Sequence, residues 1–284
     1  MNKVELAKEA ALAAARLRAN LGVGPGEAVC PFDIAEKLEV PARLVALPSL
    51  EGIYSPEPSP SILVSAERPA GRRRYTCSHE IGHHVFGHGL SLDELASDAS
   101  MEATAEEFLA QRFAAALLMP KLVVESAFAR RGWSIAAATP DMIFIVAQEF
   151  GVGFTTLVGH LEQVLHRLTR GRADEHRRVP LAKLRRRVAG FEVEHDAVVV
   201  DEHWSRRTVD VEVGDVMLVP PTAEITGSCA SLVSAPLRHI VVRAPGHAAV
   251  SLRPNQPTLV IRSSRRQFTG LARYRHLEDF TDVE

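Results

Sequence analysis

Apolar and polar positions follow two different rhythms along the chain. Up to about residue 169 the spacing is mostly helical, and from Phe191 onward it breaks into short β-branched runs. Residues 3–20 are rich in Ala and Leu, with charges spaced between them, and predict an amphipathic helix. The Gly-Val-Gly-Pro-Gly run at 22–26 breaks it. A shorter helix is predicted from Pro31 to Leu38, with proline in its first turn. Val40 to Leu47 predicts a strand, and Gly52–Tyr54 and Ser61–Ser65 two more that pair across the Pro- and Ser-rich turn 55–60. Next comes a helix from Ala70 to Gly87, ended by Gly87 and Gly89. Residues 91–102 are polar and acidic and predict a loop. Ala103 to Met119 predicts a long helix stopped by Pro120, and 121–131, 140–150 and 154–169 predict three further helices. No internal repeat is present.

Past residue 166 the composition shifts, and between Arg167 and Arg187 basic residues far outnumber Asp174 and Glu175. The later runs Ala197–Val200, Val209–Val213, Val216–Val219, Ile240–Val242 and Thr258–Ile261 are spaced by Gly and Pro, as in a separate, mainly β domain. The expected fold class is α+β. Its parts are a helical domain with a small twisted sheet at 1–135, a helix-turn-helix-like segment packed on it at 136–170, a basic linker or helix at 171–190, and a β-rich C-terminal domain at 191–284.

Composition narrows the class without naming a function. A hydrophobic content of 46 % and a charged content of 24 % exclude disorder, collagen and coiled coil. The formal net charge of −2 excludes a molecule that is basic overall. Cys30, Cys77 and Cys229 are odd in number, far apart and without a CxxC pair, which fits a reducing compartment. Lys3, Glu5, Lys8, Glu9, Arg16 and Arg18 interrupt the first twenty residues, so these are expected to be neither a signal peptide nor a membrane span. A cytoplasmic protein without membrane contact is expected.

Chemistry concentrates at His79-Glu80-Ile81-Gly82-His83. Two histidines four apart on a helix lie one turn above each other, so both imidazoles can reach one metal ion. Glu80 lies about 100° round the helix from His79 and about 60° from His83. That sets its carboxylate beside the ion's open position, where it can take a proton from water and pass it to a leaving amine. This is the HExxH arrangement of zinc metallopeptidases. The extended pattern HExxHxxGxxH is excluded, because Phe86 and Gly89 occupy the positions that need Gly and His. His88 is half a turn away from His79 and reads as a helix-end residue suited to the C-terminal dipole. His84 reads as packed or solvated, and Cys77, about 200° from His79, as a buried thiol facing away. A third ligand would come from the next helix, which holds Glu102, Glu106 and Glu107; geometry does not choose between the adjacent pair.

Two segments resemble the ImmA/IrrE family of bacterial metallopeptidases. Arg72-Arg73-Arg74-Tyr75-Thr76-Cys77-Ser78-His79-Glu80-Ile81-Gly82-His83 is similar to the family's RRF-T-x-A-HE-x-GH signature, with Ser78 where Ala is common. The second, from Glu107 to Pro120, is similar to E-x-x-A-N-x-FA-x-x-LLMP, with Gln111 in place of the commoner Asn. The likeness covers roughly 1–168 and is strongest over 72–120. It implies a zincin-like fold, a third ligand at Glu107 and a site-specific endopeptidase. The implied partner is a protein substrate, a repressor of the Xre type, cut to relieve repression of stress, DNA-damage or mobile-element genes. Zn2+ is the expected metal, and the ligand types also accept Mn2+. His160 or Tyr75 could supply a second oxyanion-stabilising group.

Other features have plainer readings. Ile145 to Val158 has helix-turn-helix texture, which would give a DNA-reading face of Phe154, Thr155, Gly159 and His160, poor in Arg, Lys and Asn. A similar segment belongs to the peptidase module in the resembling family, so a structural hairpin is expected. The alternative is a DNA-binding transcriptional regulator whose metal site is structural or sensory. The basic stretch 167–187 lacks interleaved aromatics and reads as a solvated linker and helix face. Arg72–Arg74 would bind substrate or pair with Asp93, Glu94 and Asp98. Trp133 and Trp204 read as packing residues. No catalytic or metal motif falls in the β-rich part, which would serve sensing or recognition.

Overall fold

Helices form at most of the places the spacing predicts; the one expected over 154–169 stops at Gln163, and two short helices form around the stretch 171–190 expected as a linker or helix. The helices are α1 (Lys3–Asn20), α2 (Pro31–Lys37), α3 (Ala70–Phe86), α4 (Ala105–Leu118), α5 (Lys121–Arg130), α6 (Pro140–Phe150), α7 (Phe154–Gln163), α8 (Arg170–Arg177) and α9 (Leu181–Ala189). The strands are β1 (Ala42–Val45), β2 (Leu50–Ser55), β3 (Ser61–Ser65), β4 (Ser91–Glu94), β5 (Ala197–Val199), β6 (Thr208–Glu212), β7 (Val216–Leu218), β8 (Glu224–Gly227), β9 (Ala230–Val233), β10 (His239–Val242), β11 (Gly246–Ser251), β12 (Leu259–Ser264) and β13 (Gly270–Leu271). This computed structural model describes residues 2–24, 26–94, 104–205, 208–235, 237–253 and 258–277, with Glu94 by its backbone alone. The fold is mixed α+β. Glu102, Asp98 and the rest of the expected acidic loop from residue 95 on lie outside the described residues.

The chain divides into two units. One comprises 1–124, 150–152 and 267–273; the other comprises 125–149, 153–266 and 274–284. In the first, Asn2 opens α1 with a capping box: its side chain accepts from Val4 N and Glu5 N, and the Glu5 carboxylate accepts from Asn2 N at 3.0 Å. Ala10 and Ala14 of α1 are fully buried, and the helix packs on α4. The guanidinium of buried Arg18 donates to the Leu117 carbonyl at 2.9 Å and to the Glu27 carbonyl. The Leu117 carbonyl, at the end of α4, thereby finds a donor that its own helix does not supply. At Gly82, α3 meets α4 almost backbone to backbone. A Cβ there would stand 3.0 Å from the Ala110 Cα and 3.2 Å from its carbonyl oxygen.

The sheet of this unit has the order β13-β1-β3-β2-β4. β1 and β3 are parallel, and the other pairs are antiparallel. β2 and β3 pair across 55–60 as the pattern predicts. β4 replaces the start of the expected loop. Its sequence is polar, but it pairs Ser91 with Tyr54 and Asp93 with Gly52 along the open side of β2. The ladder slips between Leu50 and Gly52, which leaves Glu51 as the extra residue of a bulge. Gly87 ends α3 in the left-handed conformation, with φ 65°.

The second unit holds two four-stranded sheets, ordered β5-β7-β10-β9 and β6-β12-β11-β8. Val209, Met217, Ile240, Val250, Ile261 and Trp204 share one core. Its helices are tied to the strands by side chains of α6. Gln148 accepts from Val199 N at 2.9 Å and donates to the Ala197 carbonyl. Fully buried Glu149 accepts from Arg130 at 2.8 Å and from Ser205 N at 3.1 Å, and pairs with Arg131 at 2.9 Å. Arg131 also grips Asp201 with two bonds, at 2.7 and 2.8 Å. α6 and α7 meet at 101°. No single helix among the described residues is long and apolar enough to cross a membrane.

Candidate metal centre

His79 and His83 occupy successive turns of α3 and are almost fully buried. Their Nε2 atoms lie 3.1 Å apart. Glu107, in the first turn of α4, brings Oε2 to 3.2 Å from His79 Nε2 and Oε1 to 3.3 Å from His83 Nε2. Thr104 caps this helix by accepting from Glu107 N at 3.2 Å, which fixes the first turn and with it the direction of Glu107. Glu106, its neighbour, is exposed. Both imidazoles hold the Glu107 carboxyl well below the usual carboxylate range, their hydrogen bonds outweighing its partial burial. Together His79, His83 and Glu107 form a group that could hold a metal ion. Donors about 2.0–2.1 Å from a tetrahedral zinc ion stand about 3.3 Å from one another; the two imidazole nitrogens are 3.1 Å apart, and each has a different oxygen of Glu107 at 3.2 or 3.3 Å.

Glu80 is fully buried, with its carboxylate within 4.8 Å of a ring nitrogen of His79. Neither carboxylate oxygen has a hydrogen-bond partner among the described residues. Burial, followed by the charges of Asp93 and Glu107, pushes its pKa up to about 9. In the metal-free protein Glu80 therefore carries a proton at neutral pH. Asp93, on β4, is also pushed up, chiefly by burial, and with His79 and Glu80 forms a second group with ligand atoms close together.

The strand that was expected to be a loop brings further groups to the histidines. Ser91 Oγ lies 3.2 Å from His83 Nε2. His88 Nδ1 lies 2.9 Å from His83 Nδ1, on the ring's far side, so His88 orients His83 without joining the ligand group. The sequence signal for His88 is its place past the end of α3, where Gly87 turns the chain back. For Ser91 and Asp93 there is none beyond the acidic character of the segment. His84 meets the Tyr54 hydroxyl at 3.1 Å, and Cys77 is buried, as are Cys30 and Cys229. Arg72 pairs with Glu51 and feels the charge of Asp93, while Asp98 and the Glu94 side chain lie outside the described residues. Tyr75 donates to the Gln111 carbonyl at 3.3 Å, and His160 is buried on α7 in the second unit.

Residues 37–168 match the model of a peptidase family described as the IrrE N-terminal-like domain. This segment belongs to that family. No curated protein matches the chain. The IrrE N-terminal-like domain takes in α3, α4 and every side chain of the His79, His83 and Glu107 group. The match supports a metallopeptidase of this kind, and such a family implies a metal ion.

Proposed function

We propose that this protein is a zinc-dependent, site-specific endopeptidase of the HExxH type that acts in the cytoplasm on an Xre-type repressor. The observation that carries this reading is the convergence of His79, His83 and Glu107 within 3.3 Å of each other beside a buried carboxylate without a partner among the described residues. His79, His83 and Glu107 would hold the ion, and two imidazoles with one carboxylate suit an open catalytic zinc site, with Mn2+ also accepted. When bound, a divalent ion polarises the peptide carbonyl and lowers the pKa of water. Positive charge beside a carboxyl favours its ionised form, so Glu80 would shed its proton in the loaded site. Ionised Glu80 then takes a proton from the attacking water and delivers it to the leaving amine nitrogen. His88 keeps the His83 ring turned toward the shared point. Cleavage of the repressor would release stress, DNA-damage or mobile-element genes.

The DNA-binding alternative draws on the 101° angle between α6 and α7, which suits a helix-turn-helix. Two observations weigh against it. Phe154 and His160, half of the expected reading face, are buried. Most arginines of the basic stretch are already paired: Arg167 with Glu125, Arg172 with Glu175, Arg177 with Glu162 and Asp174, Arg185 with Asp196, Arg186 with Glu192 and Arg187 with Asp141. The test is incubation of the zinc-loaded protein with Xre-type repressors from the same organism, followed by mass mapping. A single cut is expected, lost in Glu80→Gln while Zn2+ binding and the unfolding temperature are kept. Absence of any cut, together with sequence-selective binding of duplex DNA, would establish the regulator instead.

A further inference from the structure

The space that Glu80 occupies is made by a missing side chain on another element. A Cβ on Gly52 would stand 2.5 Å from Glu80 Oε1, 3.3 Å from Glu80 Cδ and 2.5 Å from Thr76 Cγ2. Distances that short are not tolerated between non-bonded atoms, so something must shift, and Glu80 is fully buried. Gly52 has no positive φ, so the backbone does not demand glycine there. The demand comes from two side chains of α3, the Glu80 carboxylate and the Thr76 methyl.

The bulge explains how the strand gets so close. In a regular strand Glu51 and Gly52 would face opposite ways. With the register slipped between Leu50 and Gly52, both are buried. Glu51 uses its place to accept from Arg72 Nε and from Thr76 Oγ1, the latter at 3.4 Å. Thr76 and Glu80 are four apart on α3, so the clamp and the recess lie one turn from each other.

We propose that Gly52 is a positioning residue for Glu80: its bare backbone forms the recess that aims the carboxylate, and Glu51 holds β2 against α3 through Arg72 and Thr76. The proposal rests on the reading of Glu80 as the base. It is tested with Gly52→Ala in a Thr76→Ser background, which removes the competing methyl contact. Zn2+ affinity by calorimetry should stay within about threefold of the background, because the three atoms nearest a Cβ at residue 52 belong to Glu80 and Thr76 and not to His79, His83 or Glu107. Repressor cleavage should fall about 100-fold in kcat, the usual effect of displacing a reacting group by about 1 Å.

A stability cycle with Glu80→Ala supplies a readout that needs no substrate. In the same Thr76→Ser background, Gly52→Ala should lower Tm by at least about 4 °C when Glu80 is present, and by less than about a third of that when residue 80 is alanine. If Gly52→Ala fails to fold alone but folds together with Glu80→Ala, the proposal is supported. Equal losses with and without the carboxylate, failure of both variants to fold, or undiminished cleavage by Gly52→Ala would overturn it. A parent protein that cleaves nothing would count against the peptidase reading alone, since the cycle still reports whether residue 52 seats the carboxylate.

Discussion

With no cation beside it, the Glu80 carboxyl keeps its proton until the pH reaches about 9, against an ordinary value of 4.5. Between those values the folded chain holds one more proton than the unfolded chain, so this group's stabilisation is complete below 4.5 and is lost as the pH rises toward 9. Thermal unfolding of the metal-free protein should therefore show Tm falling across that window, and Glu80→Gln should flatten the fall. A metal-free wild type with the same profile as Glu80→Gln would contradict the buried, proton-holding carboxyl. Glu107 and Glu106 offer a second contrast between residues. Glu107→Ala should weaken Zn2+ binding more than about 100-fold, beyond the roughly 10–100-fold typical of an outer partner. Exposed Glu106→Ala should leave the affinity unchanged in the same titration.

At the scale of elements, the approach of α3 to α4 decides whether the donors meet at all. Gly82→Val would push against the Ala110 backbone and the Phe113 ring, both within 3.2 Å of a new Cβ. Overpacking of this kind costs about 1–3 kcal/mol. It should also reduce Zn2+ affinity by withdrawing Glu107, and chemical unfolding together with calorimetry would measure both effects. Helices were legible in the sequence because capping residues, glycines and apolar spacing all mark them locally, as at Asn2, Thr104 and Gly87. The likeness to a known family separated Glu107 from Glu106, which spacing did not, and the structure puts Glu107 beside both imidazoles. β4 was not legible because its polar residues form a strand only by joining the exposed side of β2. β8, β9 and β11 lack a β-branched run: β11 reads Gly-His-Ala-Ala-Val-Ser and is defined by its neighbours on both sides. Gly52 and Glu51 escaped notice because a bulge leaves no periodic signal.

On the scale of the molecule, both tryptophans of the chain, Trp133 and Trp204, fall in the second unit, so intrinsic fluorescence reports on that unit. Glu149→Ala would leave buried Arg131 without one of its two acidic partners. Breaking a buried pair in this way costs about 3–5 kcal/mol. The fluorescence transition in urea should move to lower denaturant accordingly, while Zn2+ binding by the first unit persists. An unmoved transition would mean the arginines are satisfied elsewhere. Lastly, Gly270–Leu271 pairs with β1 although the family match ends at residue 168. A chain cut back to the matched segment would expose the bare backbone of β1 along one side, and such an edge invites other chains to add to it. The matched segment and the first unit thus do not coincide: the unit also takes in α1 and α2 ahead of the match and a few residues borrowed from far down the chain. Loss of that late stretch, by a premature stop or by trimming in the cell, should turn the first unit into a sticky, self-associating species.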